Sequence, residues 1–190
     1  VLYCPNGVDV DFFFPAMKTR MFDPSKIRIG WVGKERSPKN FAVLKEALDQ
    51  LEKSGGFQTR IVHIDKALRK VPLTPEEMRA YYHEIDFYLC ASWNEGTPNP
   101  VLEAGACGVP IVTTRVGNMP ELIIDGENGF FVEPTVDSIV KRFKALCDLT
   151  PDQYSKMSQN LRHRVENDWS WPKRIGNFVS AFDALLQTPS

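Results

Sequence analysis

Short apolar runs alternate along the chain with segments whose apolar residues recur at helical spacing. The runs lie at residues 1–4, 27–32, 59–64, 85–91, 110–114 and 130–132. Runs of this length between turn-forming residues are typical of buried strands. We therefore predict six strands, the first of them a short entering strand that ends at the turn formed by Pro5, Asn6 and Gly7.

The intervening segments carry helix signals. Apolar residues recur at helical spacing from Phe41 to Leu51, and Gly55 then stops the pattern, while Thr74 before Pro75 is an N-terminal cap. Predicted helices begin at Phe41 and at Asn99, and others cover residues 76–84, 120–123, 136–148, 151–167 and 172–186. Strands that alternate with helices through short loops indicate an α/β fold, a parallel sheet with helices on both faces. We expect residues 1–190 to form one domain.

Residues 92–112 combine a strand end, a loop, a short helix and the next strand. Pro98 and Pro100 suit the first turn of a helix that starts near Asn99. Such a unit directs free backbone N–H groups and the positive end of the helix dipole beyond the sheet edge, which favours a phosphate. Glu95 and Glu103 would repel phosphate but accept hydrogen bonds from hydroxyls. A nucleotide sugar carries both kinds of group.

Composition narrows the choice of partners and compartment. The net charge of −1 comes from balanced acidic and basic residues, so nothing favours nucleic acid or an anionic membrane. No run approaches the roughly 20 apolar residues that span a bilayer, and no signal peptide is evident. The four cysteines are dispersed and resemble reduced packing residues. We expect a cytoplasmic protein. The rest of the full-length protein could place it at the inner face of the membrane.

The central stretch E-G-T-P-N-P-V-L-E-A-G-A-C-G-V-P-I-V resembles the donor-site motif of retaining GT-B glycosyltransferases, with seven residues between its two glutamates. The run T-T-R-V-G-N-M-P-E-L and the segment P-N-G-V-D near the start are similar to the same group. The resemblance spans Pro5 to the end of the chain. It implies the Rossmann-like, donor-binding C-terminal half of such an enzyme, with the N-terminal acceptor domain absent.

The resemblance also assigns roles to individual residues. In the loop after the second predicted strand, Gly33 would lie close to the transferring sugar, and Lys39 with either Lys34 or Arg36 would hold the diphosphate. Glu95 would contact the sugar near its anomeric carbon, and Glu103 would bind the ribose hydroxyls. Further contacts to sugar and phosphate are expected from Thr97, Pro98, Asn99 and Val101. Glu95, Lys39 and Lys34 would be the catalytic residues.

The implied reaction moves a hexose from UDP or GDP to a hydroxyl of a glycan or lipid-linked acceptor, with retention of configuration. We expect no metal or other cofactor, because fixed cationic side chains would stabilise the diphosphate in place of a metal ion. Two alternatives remain open. A nucleotide-binding regulatory or scaffolding module would keep the motif without transfer. A flavodoxin-like signalling domain would require an acidic cluster after the first core strand, where a basic loop stands instead.

Overall fold

The computed structural model describes residues 3–17, 21–35, 37–63 and 73–186. Its centre is a five-stranded parallel sheet in the order β2-β1-β3-β4-β5. The strands are β1 (Ile27–Gly33), β2 (Phe57–His63), β3 (Phe87–Cys90), β4 (Ile111–Thr113) and β5 (Gly129–Phe131). The predicted α/β parallel sheet is confirmed.

Seven α-helices accompany the sheet in the described part of the chain. They are α1 (Phe41–Ser54), α2 (Pro75–Glu84), α3 (Asn99–Ala106), α4 (Met119–Leu122), α5 (Val136–Leu146), α6 (Pro151–Arg164) and α7 (Trp171–Leu186). A π-helical stretch, Val165–Trp169, joins α6 to α7. At α2 the predicted cap forms in full, because Thr74 and Glu77 each bond the other's backbone N–H.

Helices cover both faces of the sheet because side chains of each strand alternate between two apolar cores. In β3, Phe87 and Leu89 enter one core with residues of α1 and α5, whereas Tyr88 and Cys90 enter another core with residues of α2 and α3. Burial on both faces explains why β3 is apolar throughout.

Residues 1–4 were predicted as a strand, and the structure does not support this for the part that it describes. Tyr3 and Cys4 belong to no strand, and the first two residues lie outside the described ranges. A backbone contact forms further along the chain, where Val8 pairs with the end of the π-helical stretch. The N–H of Val8 donates to Trp169 O at 2.9 Å, and its carbonyl accepts from Trp171 N at 3.1 Å. A local apolar pattern could not reveal this non-local partner of Val8.

The last helix, α7, packs only lightly against the rest of the structure. None of its residues is buried, and its exposed apolar side chains are Trp171, Ile175, Val179, Phe182, Leu185 and Leu186. None of the helices in the described ranges has the length and apolarity that a membrane span requires.

The connections of the sheet define one crevice. All strands run in the same direction, so the loops that follow them meet at one edge. The chain leaves β1 toward β2 on one side and leaves β3 toward β4 on the other. A crevice therefore opens beyond the ends of β1 and β3, where open α/β sheets bind their ligands. This strand order also occurs in flavodoxin-like domains, so topology does not distinguish the two classes.

Candidate functional site

An ion pair spans this crevice between two predicted catalytic residues. Lys39 follows β1 and Glu95 follows β3, and Lys39 Nζ lies 2.6 Å from Glu95 Oε1. Their side chains are 22% and 10% exposed, respectively, so the pair is largely shielded yet reachable from solvent. Fifty-six positions of sequence separate the two residues. The sheet thus brings together the predicted phosphate ligand and the predicted sugar ligand.

Lys39 is placed by a short 3-10 turn, Ser37–Lys39, that leads into α1. The turn is tied to the opposite loop, because Trp93 N donates to Pro38 O at 2.9 Å. Asn40 ends the turn in the left-handed region with φ 51°, and its Nδ2 donates to Pro134 O at 3.2 Å. Asparagine tolerates this backbone conformation better than most residues. Contacts on two sides therefore fix the base of the Lys39 side chain.

Glu95 is held by residues that sequence reasoning missed. The hydroxyl of Ser92 donates to Glu95 Oε1 at 2.6 Å, and Thr114 Oγ1 donates to Ser92 O at 2.6 Å. Both Ser92 and Thr114 are buried. A buried hydroxyl bonded to a charged group makes a strong, directional contact. The sequence signal for this hydrogen bond was the position of Ser92 three residues before Glu95.

The loop after β4 packs against the loop that carries Glu95, here called the Glu95 loop. Gly117 has φ 52°, and a Cβ there would collide with Gly96 O. Asn118 N donates to Gly96 O at 3.2 Å. Only glycine allows this close approach of the two backbones at a positive φ. Gly117 and Asn118 belong to the run T-T-R-V-G-N-M-P-E-L, which thus packs against the loop that carries Glu95.

Thr97 and Asn99, two predicted donor ligands, meet the beginning of the chain. Asn6 N donates to Thr97 Oγ1 at 3.3 Å, and Asn6 Nδ2 donates to Asn99 Oδ1 at 3.0 Å. These bonds leave the Thr97 hydroxyl proton and the Asn99 NH2 group as donors that the contacts with Asn6 do not use. Asn6 was predicted as a turn residue within the resembling segment P-N-G-V-D, and its contact with α3 required the folded chain.

Helix α3 begins at Asn99, as predicted, with Pro98 as its N-terminal cap residue. It offers fewer free backbone N–H groups than predicted. Pro98 and Pro100 have no N–H, and the buried Val101 donates its N–H to Pro98 O at 3.0 Å. The predicted donor role of Val101 would require this bond to open. The helix start therefore presents mainly its dipole and the backbone of Asn99.

Glu103 lies one turn along α3 and faces α2. Tyr82 OH donates to Glu103 Oε2 at 2.7 Å. Burial raises the pKa of the Glu103 carboxyl, and the Tyr82 hydrogen bond opposes part of this rise. Among the described residues, no hydrogen bond joins Glu103 to the Lys39–Glu95 pair. Glu103, the predicted ribose ligand, and Glu95, the predicted sugar ligand, thus have different hydrogen-bond partners. Glu103 lies on α3 and Glu95 lies in the loop before it.

The remaining predicted phosphate ligands lie at the end of β1. Gly33 is buried, and a Cβ there would lie 2.6 Å from the Trp31 ring, so packing alone demands a glycine. Lys34 is exposed next to it, and Arg36 lies outside the described residues. Within the described ranges, no three His, Cys, Asp or Glu side chains cluster as metal ligands.

Comparison with known proteins identifies the family of the chain. Residues 5–148 match the family described as Glycosyl transferases group 1. A D-inositol 3-phosphate glycosyltransferase from Pseudarthrobacter chlorophenolicus is 28% identical over an alignment of 210 positions that covers 96% of this chain and 50% of that protein. A GDP-mannose-dependent alpha-(1-6)-phosphatidylinositol monomannoside mannosyltransferase from Mycolicibacterium smegmatis is 39% identical over 83 residues, 42% of this chain and 21% of that protein.

A solved structure gives the same result for the fold. The C-terminal domain of a glycosyl transferase group 1 family protein from Francisella tularensis superposes with a TM-score of 0.71 at 26% identity, covering 86% of this chain and 99% of that domain. The chain spans about half the length of the first curated relative. It therefore belongs to the Glycosyl transferases group 1 family and has the Rossmann-like fold of a GT-B C-terminal domain.

Proposed function

We propose that the chain binds the nucleotide diphosphate sugar donor of a retaining glycosyltransferase that transfers a hexose to an acceptor hydroxyl. The Lys39–Glu95 pair at the crevice is the observation that carries this proposal. It offers a fixed cation for a diphosphate beside a carboxylate for sugar hydroxyls. The GDP-mannose-dependent relative supports a nucleotide sugar as donor. The acceptor, a glycan or lipid-linked sugar, would bind chiefly to the other half of the protein.

In this proposal, catalysis stabilises the leaving group. The bond between the anomeric carbon and the diphosphate oxygen breaks, and its electron pair stays on the diphosphate. Lys39, together with Lys34 or Arg36 and the positive end of α3, would lower the energy of this developing charge. The acceptor oxygen forms the new bond on the same face, so the departing diphosphate oxygen can take its proton. Glu95 would orient the hexose, and Glu103 the ribose.

Titration calorimetry with UDP, GDP, UDP-glucose and GDP-mannose tests the proposal. We expect at least one of these nucleotides to bind the chain, and Lys39→Ala to weaken its binding about 10- to 150-fold, which corresponds to losing a charged hydrogen bond of about 1.5–3 kcal/mol. Lys45→Ala is the matched control, because Lys45 is an exposed lysine of α1 paired with Asp49.

Two outcomes of the titration would count against the proposal. Absence of binding by every nucleotide would remove it. An equal loss in Lys39→Ala and Lys45→Ala would remove the role of Lys39. An assay of hexose transfer by the full-length protein separates the enzyme from a regulatory module that only binds nucleotide.

A further inference from the structure

A second cavity lies beside the proposed donor site. Its volume is about 390 Å³, toward the lower end of the range for small-molecule pockets. It is lined by Glu35, Ser37, Asn40, Phe41, Ala42 and Trp93. We call it the Trp93 cavity. None of the roles proposed above for Lys39, Glu95 or Glu103 uses it.

Trp93 gives the cavity an open aromatic wall. The residue is 56% exposed, although a tryptophan contributes a large apolar area when it is covered. Its backbone is held in place by the 2.9 Å hydrogen bond to Pro38 O. The partly buried ring of Phe41 continues the apolar lining. The face of an aromatic ring is negative, so it attracts the weakly positive C–H groups on one face of a pyranose ring.

A sugar also needs hydrogen-bond partners for its hydroxyls. Glu35 and Ser37 can supply them. Glu35 Oε1 lies 3.1 Å from His63 Nδ1, which leaves the second carboxylate oxygen as an acceptor that this contact does not use. The exposed hydroxyl of Ser37 can donate and accept. A negative carboxylate at this position disfavours an anionic ligand and favours a neutral one. Aromatic wall, carboxylate and hydroxyl together fit an uncharged sugar.

The Trp93 cavity and the ion pair are built by the same two loops. Trp93 bonds to Pro38, and the neighbouring Lys39 pairs with Glu95, two residues after Trp93. A sugar in the cavity would thus lie next to the donor hexose that Glu95 is proposed to orient. We propose that the Trp93 cavity binds a neutral hexose ring of the acceptor glycan. This inference rests on the proposed function and adds a contact from this half of the protein.

Saturation-transfer difference NMR on the 190-residue chain tests the proposal. The probes are methyl α-D-glucopyranoside, methyl α-D-mannopyranoside and methyl α-D-galactopyranoside at millimolar concentration. We expect saturation of at least one glycoside, a loss of about tenfold or more in Trp93→Ala, and partial retention in Trp93→Phe, which keeps an aromatic face. Trp171→Ala is the matched control, because Trp171 is 40% exposed but lies on α7.

UDP and GDP titrations of the same variants separate this inference from the proposed function. Trp93→Ala should bind nucleotide within about twofold of the unchanged chain, which also shows that it folds. If the unchanged chain binds nucleotide but none of the glycosides, the inference is overturned and the proposed function stands. Equal saturation of Trp93→Ala and the unchanged chain also overturns it. Glycoside binding through Trp93 without any nucleotide binding would refute the proposed donor site and, with it, the acceptor role of the cavity.

Discussion

Individual side chains at the crevice carry opposite charges that serve different parts of one ligand. Lys39 is held by Glu95, and Glu95 is held by Ser92, so the free site is already organised before a donor arrives. Such preorganisation reduces the cost of ordering groups on binding. It also means that Glu95 competes with a phosphate for the same ammonium group.

Removing the charge of Glu95 should therefore separate binding from transfer. In Glu95→Gln we expect UDP and GDP affinity to stay unchanged or to rise up to about fivefold, because a partly exposed ion pair contributes about 1 kcal/mol or less. Hexose transfer by the full-length protein should fall strongly. Calorimetry and a transfer assay measure the two effects, with the exposed Glu46→Gln of α1 as control. A tenfold loss of nucleotide affinity would show that Glu95 supports the phosphate site instead.

Glu103 should cost stability at neutral pH. Its pKa in the folded chain is raised above the ordinary 4.5, so folding favours the protonated form. The resulting stabilisation is fully present below the unfolded pKa and is lost as pH rises through the folded pKa. The neutral variant Glu103→Gln should therefore unfold at a higher temperature than the unchanged chain at pH 7. The difference should shrink as pH falls toward 4.5, and thermal unfolding at both pH values measures it.

The same Glu103 substitution should weaken nucleotide binding if the carboxylate accepts the ribose hydroxyls. A variant that is more stable than the unchanged chain but binds ribonucleotide more weakly is expected when a functional residue is kept in an unfavourable environment. Loss of stability at pH 7 would mean that the Tyr82 hydrogen bond, not burial, dominates the environment of Glu103.

Loops at the sheet edge depend on each other through backbone contacts. Gly117→Ala should lower the free energy of unfolding by more than about 1 kcal/mol, since a Cβ there meets Gly96 O in addition to the strain of a positive φ. Gly126→Ala is the matched control, because Gly126 also has a positive φ, 81°, but open space around it. Urea unfolding of both variants isolates the cost of the clash. Similar losses in the two would show that the loops can separate freely.

Gly117→Ala should also weaken nucleotide binding, whereas Gly126→Ala should not. The contact between Gly117 and Gly96 lies directly behind the Glu95 loop, so displacing it moves the carboxylate. The effect would act through the pair of loops, because Gly117 and Gly96 have no side chain that could contact the ligand.

The chain taken as a unit contains the proposed donor site but spans about half the length of the first relative. We expect the isolated chain to bind nucleotide and to transfer little or no hexose, whereas a protein that also contains the other half transfers it. Lys39 supplies the cation at the diphosphate in our proposal, so binding should survive EDTA. Calorimetry before and after EDTA measures this. Loss of binding that added Mg²⁺ restores would show that the donor arrives with a metal ion.

Periodicity and turn chemistry were sufficient for most elements of the fold. The helices at Phe41, Pro75 and Asn99 begin within one residue of their predicted starts, because caps and prolines act over a few neighbouring residues. The motif around Glu95 likewise identified the family, which the match over residues 5–148 confirms. These signals are local, so the linear sequence carries them in full.

Folding alone decided which distant groups meet. The pairing of Lys39 with Glu95, the bond from Asn6 to Asn99 and the support of Gly96 by Gly117 join segments that are far apart in sequence. Strand order brings them to one edge, and no local pattern encodes that order. Burial of Glu103 against Tyr82 arises in the same way, because the environment that raises its pKa comes from another helix. The chemical groups can be read from the chain itself, whereas their neighbours depend on packing.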